Sequence, residues 1–342
     1  MILKSSNPDE HENAGILFIE VDDILEGGNE EHQAQMKKFY QKYKCGKSKR
    51  IVDLKEEGTR ISGIRVKQNP DYTFTWDMNE YAKDMEKIEL PRGYYAQMEK
   101  EKSTIGDHML GKVKALNGKI GWLGGNGRPD VAAGHSIIAG NYKHQQAGLI
   151  KDCNQCVQQA QQHQIFTKVW SIPVRELRIV AFCDSSFDHS GERHQQGWLL
   201  GFTNRFLNEN QKAPVSIALW RSRKLPNKAG SPQLVETYAA VGAVADANWI
   251  RCLLYSTFYA DYSFLEQRPQ HFRARCSQPT VLRTERPEVI DPELSVLSDS
   301  KGLYDALNNE IPQDDKKSAV IMPIIEEILR KCNGRSRWIP HN

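Results

Sequence analysis

The stretch that decides the fold is "ELRIVAFCDSSF", residues 176–187, an almost continuous apolar run that ends in Asp184. A run of this kind fits a β-strand that is covered on both faces. Two further apolar segments follow, "GWLLGFTN" at 197–204 and "VSIALWRS" at 215–222, around a polar loop at 203–213. Three successive strands with short connections predict an antiparallel meander.

Helices and two more strands complete an α/β pattern. Ser231-Pro232 opens a long helix, because proline is accepted at the first helical position. "LSVLSDSKGLYDAL" at 294–307 predicts a strand that runs into a helix, and "SAVIMPIIEEILRKC" at 318–332 predicts a second long helix with a kink or a start at Pro323. "SRWIP" at 336–340 predicts a last strand. The predicted buried stripe of the first long helix consists of Leu234, Tyr238, Val241, Ala245, Trp249 and Leu253.

Three acidic residues occupy informative places in this order of elements. Asp184 ends the first strand, Glu236 lies in the first turns of the long helix, and Asp299 ends the fourth strand. If the first and fourth strands are parallel neighbours, their ends converge, and ligands of open α/β sheets bind there. Each acid taken singly also fits a turn or a solvated helix position. Taken together, the three predict a metal site.

The chemistry of this site follows from the charges. Three carboxylates so close together resist simultaneous ionisation unless a cation neutralises them. Mg²⁺ (or Mn²⁺) fits, because Mg²⁺ binds carboxylate oxygens and keeps several waters that a phosphate can replace. Two such ions about 4 Å apart can activate water and stabilise the leaving oxygen in phosphodiester cleavage. The expected activity is therefore metal-dependent hydrolysis of a nucleic acid.

The composition allows two or three domains in 342 residues and excludes few functions. The net charge of +3 is too mild to indicate a nucleic-acid partner by itself. Arg221, Arg223, Lys224 and Lys228 form a local basic group and are candidates for nucleic-acid contacts. A solvated loop is the other interpretation of this group.

Neither a signal peptide nor a membrane span is predicted, because no apolar run has the necessary length. The seven cysteines are scattered, which favours a reducing, intracellular setting. Cys153 and Cys156 form a CxxC, but His144 and His163 lie far off in both directions. We therefore interpret this segment as a polar helix or linker that carries two thiols, with zinc as the alternative.

The N-terminal half begins with "ILFIEVDDILEGG", residues 16–28, which predicts a strand, a turn and a second strand. Asp22 and Asp23 interrupt this apolar segment, and a tight turn or a metal held on the hairpin tip would each explain them. Asn29 is the expected N-cap of a following helix.

Shorter elements are predicted beyond this helix. "RISGIRVKQ" at 60–68 and "YTFTWDM" at 72–78 predict one strand each, followed by a helix that Pro91 ends. Tyr81, Met85 and Ile88 would form one face of that helix. Short helices are expected over 91–150, a helix and a linker over 151–174, and a polar surface excursion over 260–292.

Several segments resemble, in order, the C-terminal part of the polyprotein of copia-type retrotransposons. "EVDDIL" is similar to the polymerase YVDD box, "ISGIRVKQ…TFTWDMNEYAKDME" to the segment after it, and "GRPDVAAGHSIIAG" to a TRPD stretch. "VAFCDSSF", "LVETYAAV", "LSDSKGLYDAL" and "WIPHN" resemble the blocks of the family's ribonuclease H. The ribonuclease blocks are the more specific ones, because several match in the same order and the resemblance covers nearly the whole chain.

The resemblance implies three regions. Residues 1–90 would be the partial palm end and thumb-like part of a reverse transcriptase, 91–174 a connection segment and linker, and 175–342 a ribonuclease H-like domain without its C-terminal end. The implied fold class is α/β (α+β), with a mixed five-stranded sheet and flanking helices. The implied partners are an RNA–DNA hybrid or another nucleic acid and the rest of the polyprotein. The implied location is cytoplasmic, associated with particles, or nuclear. A membrane partner is not expected, because no apolar run is long enough to span one.

By the same resemblance, Asp184, Glu236 and Asp299 are three of four metal-binding carboxylates of the ribonuclease, and Asp22 and Asp23 are the polymerase carboxylates. The sequence departs from the family's pattern at several places. The family's helix usually carries two glutamates, and here Val235 and Thr237 flank one. The fourth carboxylate would follow the "WIPHN" block, which contains His341, and the sequence ends at Asn342.

The polymerase box also differs, because Glu20 replaces the usual aromatic residue and no strand pattern upstream supplies another aspartate. Only Asp9 in a polar segment precedes the box. The expected activity is thus cleavage of RNA in RNA–DNA hybrids, with an incomplete polymerase site. A non-catalytic remnant that folds and binds nucleic acid is the alternative. An integrase-like nuclease is a third interpretation, although its acids come in the order Asp, Asp, Glu.

Overall fold

Within the described part of the chain, the computed structural model has three β-sheets of three or more strands and several helices. The N-terminal sheet has the order β1-β2-β3 and is antiparallel, with β1 at Ile2–Lys4, β2 at Asn13–Glu20 and β3 at Asp23–Gly28. The described residues are 2–4, 13–20, 23–46, 48–54, 57–101, 103–188, 194–209, 211–226, 228–259, 262–263, 268–269, 291–308 and 315–340.

Helix α1, Glu30–Lys42, packs on the N-terminal sheet. Asn29 caps it, because its side chain accepts a hydrogen bond from the His32 amide, which confirms the predicted N-cap. Gly15 and Gly28 pair across β2 and β3, and a Cβ atom at either position would overlap the His32 side chain. The buried imidazole of His32 therefore depends on two glycines, and its Nε2 lies 3.3 Å from Glu26 Oε2.

A second antiparallel sheet has the order β4-β5-β6-β7, with β4 at Thr59–Ile61, β5 at Ile64–Gln68, β6 at Phe74–Asp77 and β7 at Thr167–Val169. The prediction of one strand for "RISGIRVKQ" is wrong, because this segment forms a hairpin. Ser62 and Gly63 have φ values of 52° and 80°, and this left-handed pair reverses the chain. β7 lies in the segment predicted as a linker.

Five α-helices lie between β6 and β7 along the described part of the chain. They are α2 at Asn79–Lys83, α3 at Tyr94–Glu101, α4 at Asp107–Asn126, α5 at Pro129–Gly140 and α6 at Gly148–Gln162. The helix predicted to continue to Pro91 is wrong beyond α2. Asn154 of α6 explains this, because its side chain hydrogen-bonds both the amide and the carbonyl of Ile88 and holds that backbone outside a helix.

The helical core includes residues on both sides of position 90, from Met78 to Ala160. Within it, Arg128 is fully buried and binds Asp130 through Nε and Nη2, both at 2.8 Å. Its Nη1 donates to the carbonyl of Ala160 at 2.7 Å. The "RPD" segment therefore joins the start of α5 to the end of α6.

The C-terminal sheet has five strands in the order β10-β9-β8-β13-β14. Their bounds are β8 Arg178–Ser186, β9 Gln195–Thr203, β10 Ser216–Lys224, β13 Leu294–Ser298 and β14 Arg335–Trp338. β8 pairs antiparallel with β9, and β9 with β10, which confirms the predicted meander. β13 is parallel to both β8 and β14. The helices of this region are α7 Pro232–Phe258, α8 Lys301–Asn308 and α9 Lys316–Lys331. Two short strands, β11 Tyr262–Ser263 and β12 Arg268–Pro269, form a separate pair. This mixed five-stranded sheet with flanking helices confirms the predicted fold class.

Small residues of α7 pack on the sheet. Ala239, Ala243 and Ala247 are almost fully buried against β8 and β9 residues. The predicted stripe is therefore wrong in its second half, where Trp249 and Leu253 are 53% and 46% exposed. Alanine lets the helix approach the sheet closely, whereas the stripe was predicted from the larger apolar side chains.

Aromatic contacts join the second sheet to the C-terminal sheet. Trp76 of β6 stacks on Trp220 of β10 with ring centroids 5.7 Å apart, and Trp220 Nε1 donates to the carbonyl of Gly124 at 2.6 Å. The amide of Trp170 donates to Ser216 Oγ at 2.8 Å. No described helix combines the length and the apolar character that a membrane span requires. The predicted excursion at 260–292 lies mostly outside the described residues.

Candidate metal centre

Three carboxylates converge at one end of the parallel strand pair. Leu297 of β13 pairs with Phe182 of β8. Asp299 follows Leu297 by two residues and Asp184 follows Phe182 by two residues, so the two acids lie at the same end of the parallel pair. Glu236 comes from the second turn of α7. One ligand oxygen from each of the three side chains lies within 4.8 Å of the others. Among the described residues, these form the one cluster of three or more histidine, cysteine or acidic side chains with such spacing.

Hydrogen bonds position two of the acids. Ser185 Oγ donates to Glu236 Oε1 at 2.6 Å, and the Ser185 amide donates to Asp184 Oδ1 at 2.7 Å. Trp338 Nε1 of β14 donates to the backbone carbonyl of Asp299 at 3.1 Å. The start of α7 is fixed in turn by Ser231, whose Oγ accepts from the amide of Leu234.

The second oxygen of Glu236, Oε2, is buried and has no hydrogen-bond partner among the described residues. A buried carboxylate oxygen without a partner is costly unless a cation or a proton compensates it. Burial, with a smaller contribution from the charges of Asp184 and Asp299, raises the pKa of Glu236 to about 7, although the hydrogen bond from Ser185 lowers it. The donor set consists of hard oxygen atoms, which suits Mg²⁺ or Mn²⁺. The residues present therefore fit a divalent ion.

Behind the cluster, the Cys183 thiol lies within the core and contacts the Leu297 carbonyl at 3.7 Å. Burial raises the pKa of Cys183 to about 12. The thiol therefore stays neutral near pH 7 and offers no thiolate to the site.

The predicted basic group is only partly available for nucleic acid. Arg221 Nε donates to Asp246 Oδ2 at 2.8 Å, and the Arg223 guanidinium lies 4.9 Å from the ring centroid of Trp198. Lys224 is half-buried and Lys228 is exposed. All four residues lie on β10 or shortly after it, and their role as nucleic-acid contacts stays a prediction.

Of the polymerase-like pair, Asp22 lies outside the described residues. Asp23 begins β3, opposite Glu20. His341 also lies outside the described residues. The assignment of Asp22 and Asp23 to a polymerase box therefore stays a prediction.

The CxxC motif lies on α6, as predicted. Cys153 is fully buried and Cys156 is partly buried. Burial raises the pKa of both thiols, that of Cys153 to about 12. The six described cysteines are free thiols.

Sequence reasoning missed Ser185 as the residue that orients Glu236. The signal was present in "CDSS", where a hydroxyl directly follows the strand-end aspartate. Neighbours in a strand point to opposite faces, so Ser185 can turn toward the helix that carries Glu236.

Glu236→Gln is expected to increase the free energy of unfolding of the metal-free protein at pH 8. The pKa of Glu236 rises from 4.5 to about 7 on folding, so the folded state retains a proton that the unfolded state has lost between these values. The carboxyl group thus contributes a destabilisation that is absent below about pH 4.5, grows as pH rises, and is complete above about pH 7. Glutamine removes it and still accepts the bond from Ser185, for a gain of about 1–2 kcal/mol after allowance for partial solvent access.

Denaturant titrations in EDTA from pH 4 to pH 8 measure this difference. Glu327→Gln on α9 is the matched control, because Glu327 is exposed and bonds Lys331, which lowers its pKa. This control is expected to show no gain at high pH. A Glu236→Gln difference that is independent of pH would contradict the electrostatic explanation.

No family model matches this chain, and no curated protein matches its sequence. The solved structures to which it is similar include ribonuclease H1 from the halophilic archaeon Halobacterium salinarum NRC-1, with a TM-score of 0.29 and 13% identity over 48% of this chain and 86% of that chain. The N-terminal ribonuclease H domain of rv2228c from Mycobacterium tuberculosis has a TM-score of 0.28 and 9% identity over 48% and 84%. LC11-RNase H1 in complex with an RNA/DNA hybrid has a TM-score of 0.27 and 11% identity over 48% and 86%.

Likeness at this level carries no argument about activity. The fold and the site of this chain rest instead on its own strand order and its own carboxylates. Together they define an α/β protein with an acidic cluster at the ends of two parallel strands.

Proposed function

We propose that this chain is a metal-dependent nuclease of the ribonuclease H-like class, which cleaves the RNA strand of RNA–DNA hybrids. The observation that carries the proposal is the convergence of Asp184, Glu236 and Asp299 within 4.8 Å at the ends of parallel strands. The order of these acids along the chain and the sequence blocks around them favour an origin in a copia-type retrotransposon polyprotein. Asp22 and Asp23 would then be the remnant of its polymerase box.

A divalent ion bound at these carboxylates would activate water and stabilise the charge that develops on the phosphate oxygens. The residues of the chain position the oxygen atoms that would bind this ion. Asp184 and Asp299 present oxygen atoms from two neighbouring strands, and Ser185 holds one oxygen of Glu236 so that Oε2 remains available. Because strands and a long helix position these groups, the site is more rigid than one built from loops.

Substrate recognition would depend on phosphate and 2′-hydroxyl contacts, because hybrid duplexes are recognised largely through their shape and backbone. The modest net charge of +3 is compatible with this mode, since local cations are sufficient. Lys228 is the exposed candidate shortly after β10, and Arg223 and Lys224 lie at the end of that strand.

The test is a cleavage time course with the full chain and four labelled substrates. RNA–DNA hybrid, single-stranded RNA, duplex RNA and duplex DNA are each incubated with Mg²⁺, with Mn²⁺ or with EDTA. The RNA strand of the hybrid is expected to be cut in the presence of either metal and to remain intact in EDTA. Mn²⁺ is expected to be effective at a lower concentration than Mg²⁺, because it binds oxygen and nitrogen ligands more tightly.

An Asp299→Asn variant purified in the same way identifies contaminating nuclease. Equal cleavage by the parent and this variant would overturn the proposal. Intact hybrid at all metal concentrations, together with retained binding of the hybrid, would favour a non-catalytic nucleic-acid-binding protein instead.

A further inference from the structure

One face of the second sheet combines cationic and aromatic side chains. β5 contributes Arg65 and Lys67, β7 contributes Lys168, and Phe166 and Trp170 flank β7 on the same side because side chains alternate along a strand. Tyr72 lies at the turn that joins β5 to β6. We call these side chains, together with the neighbouring turn residue Tyr72, the basic aromatic face; its members are Arg65, Lys67, Tyr72, Phe166, Lys168 and Trp170.

The strand register places these side chains in rows. Lys67 pairs with Thr75, and Thr75 pairs with Lys168, so the two lysines lie on either side of one threonine. In the next row, Arg65 pairs with Asp77. A cleft of about 330 Å³ runs along this face and is lined by Arg65, Lys67, Thr75, Asp77 and Phe166.

The described residues of this face include three cations. The Arg65 Nε atom donates to Asp77 Oδ2 at 2.9 Å, and Asp77 is buried, which leaves the outer end of the guanidinium partly exposed. The Lys168 ammonium lies 3.9 Å from the ring centroid of Trp170. Asp71 is the nearby exposed acid, and hydrogen bonds from Thr73 lower its pKa. Arg65 thus pairs with Asp77, and Lys168 lies near both Asp71 and Trp170.

The aromatic rings are unusually exposed. Tyr72 is 73% exposed, Phe166 52% and Trp170 41%. Tyr72 also has a φ of 62°, a left-handed conformation that is unfavourable for a residue with a bulky side chain. Hydrogen bonds among Asn69, Asp71 and Thr73 hold the backbone of this turn.

We propose that the basic aromatic face binds single-stranded nucleic acid. Unpaired bases would stack on Tyr72, Trp170 and Phe166, and the phosphates would contact Arg65, Lys67 and Lys168. Aromatic platforms next to cations suit this ligand, because every base has a π-face and every nucleotide carries a negative charge. In a duplex the bases already stack on each other, and exposed rings would have no partner there.

This surface does not use the carboxylate cluster. The opposite face of the same sheet carries Trp76, which stacks on Trp220 of the C-terminal sheet, so the basic aromatic face points away from that contact. The proposal can therefore succeed or fail independently of the nuclease activity.

Fluorescence anisotropy with the full chain in EDTA tests it, because cleavage is then excluded. The probes are labelled oligothymidylate, oligouridylate and an RNA–DNA hybrid duplex. The parent is expected to bind the single strands, and Tyr72→Ala to weaken that binding about 5-fold or more, while Tyr72→Phe retains it. Combined Lys67→Ala and Lys168→Ala substitutions are expected to reduce the slope of log affinity against log salt concentration by about 1.4, since each phosphate contact on a single strand contributes about 0.7.

Matched controls lie on other elements of the chain. Trp249→Ala removes an exposed tryptophan of α7, and Lys316→Ala removes an exposed lysine at the start of α9. Neither is expected to change binding. Tyr72→Gly separates folding from binding, because glycine accepts the positive φ; its melting temperature should equal or exceed that of the parent while binding is lost.

Single-strand binding that is unchanged in Tyr72→Ala and Trp170→Ala would overturn the proposal. A loss of hybrid binding with unchanged single-strand binding would also overturn it, in favour of a duplex contact. A parent protein that binds neither of the single-stranded probes would overturn the proposal as well.

Discussion

Asp184→Asn is expected to lower the rate of hybrid cleavage by at least about 100-fold. Asparagine keeps the size of the side chain but removes the negative charge from the strand-end position that is nearest to Asp299 in register. A misplacement of about 1 Å at a reacting centre can already cost about 100-fold in rate. Loss of a charged ligand should do at least as much, because the ion then has one fewer carboxylate to hold it.

Single-turnover cleavage rates over a range of Mg²⁺ concentrations measure this effect and separate its causes. If Asp184 acts as a metal ligand, the variant should require more Mg²⁺ to reach half of its maximal rate. Glu327→Gln, which changes an exposed carboxylate on α9, is expected to cleave at the parent rate. An Asp184→Asn variant that retains the parent's rate and metal dependence would exclude the acidic cluster as the active site.

Arg128→Met is expected to lower the free energy of unfolding by about 3 kcal/mol. The guanidinium is fully buried, forms a bidentate pair with Asp130 and donates to the carbonyl of Ala160. Its removal leaves a carboxylate and a carbonyl without their partner, and breaking a buried ion pair in this way costs about 3–5 kcal/mol. The lower end of this range applies because Asp130 retains some exposure to solvent.

Urea titrations of the parent and the variant measure this difference. Arg128→Lys should recover little of the loss, because an ammonium group cannot replace the forked geometry. Arg221→Met is the control, since Arg221 forms an exposed pair with Asp246, and it should cost no more than about 1 kcal/mol. A loss of similar size in both variants would contradict the role assigned to burial.

The positions of Asp184 and Asp299 could be predicted because they depend only on which strands are neighbours. The continuous apolar run before Asp184 identified a central strand, and parallel pairing then brought the two strand ends together. Glu236 followed from its place in the first turns of a helix that crosses the sheet. These inferences need only the type and the order of the strands and helices, which the pattern of apolar residues predicts well.

Contacts that depend on close packing were not predictable in the same way. The buried face of α7 contains Ala239 and Ala243. The sequence alone does not distinguish a buried alanine from an exposed one, because alanine is common in both places on a helix. The turn at Ser62 depends on left-handed backbone angles, and the pairing of β7 with β6 joins residues 91 to 95 positions apart. The bond between Ser185 and Glu236 similarly joins residues 51 positions apart.

The imidazole of His32 lies over the backbone of the Gly15–Gly28 pair, and this has a consequence for sequence variation. A methyl group at either glycine would occupy the space of the ring, so these positions can change only when residue 32 becomes smaller. Sequences related to this chain should therefore show co-variation among positions 15, 28 and 32. Such a triplet would mark the hairpin even in a relative that lacks both Asp22 and Asp23.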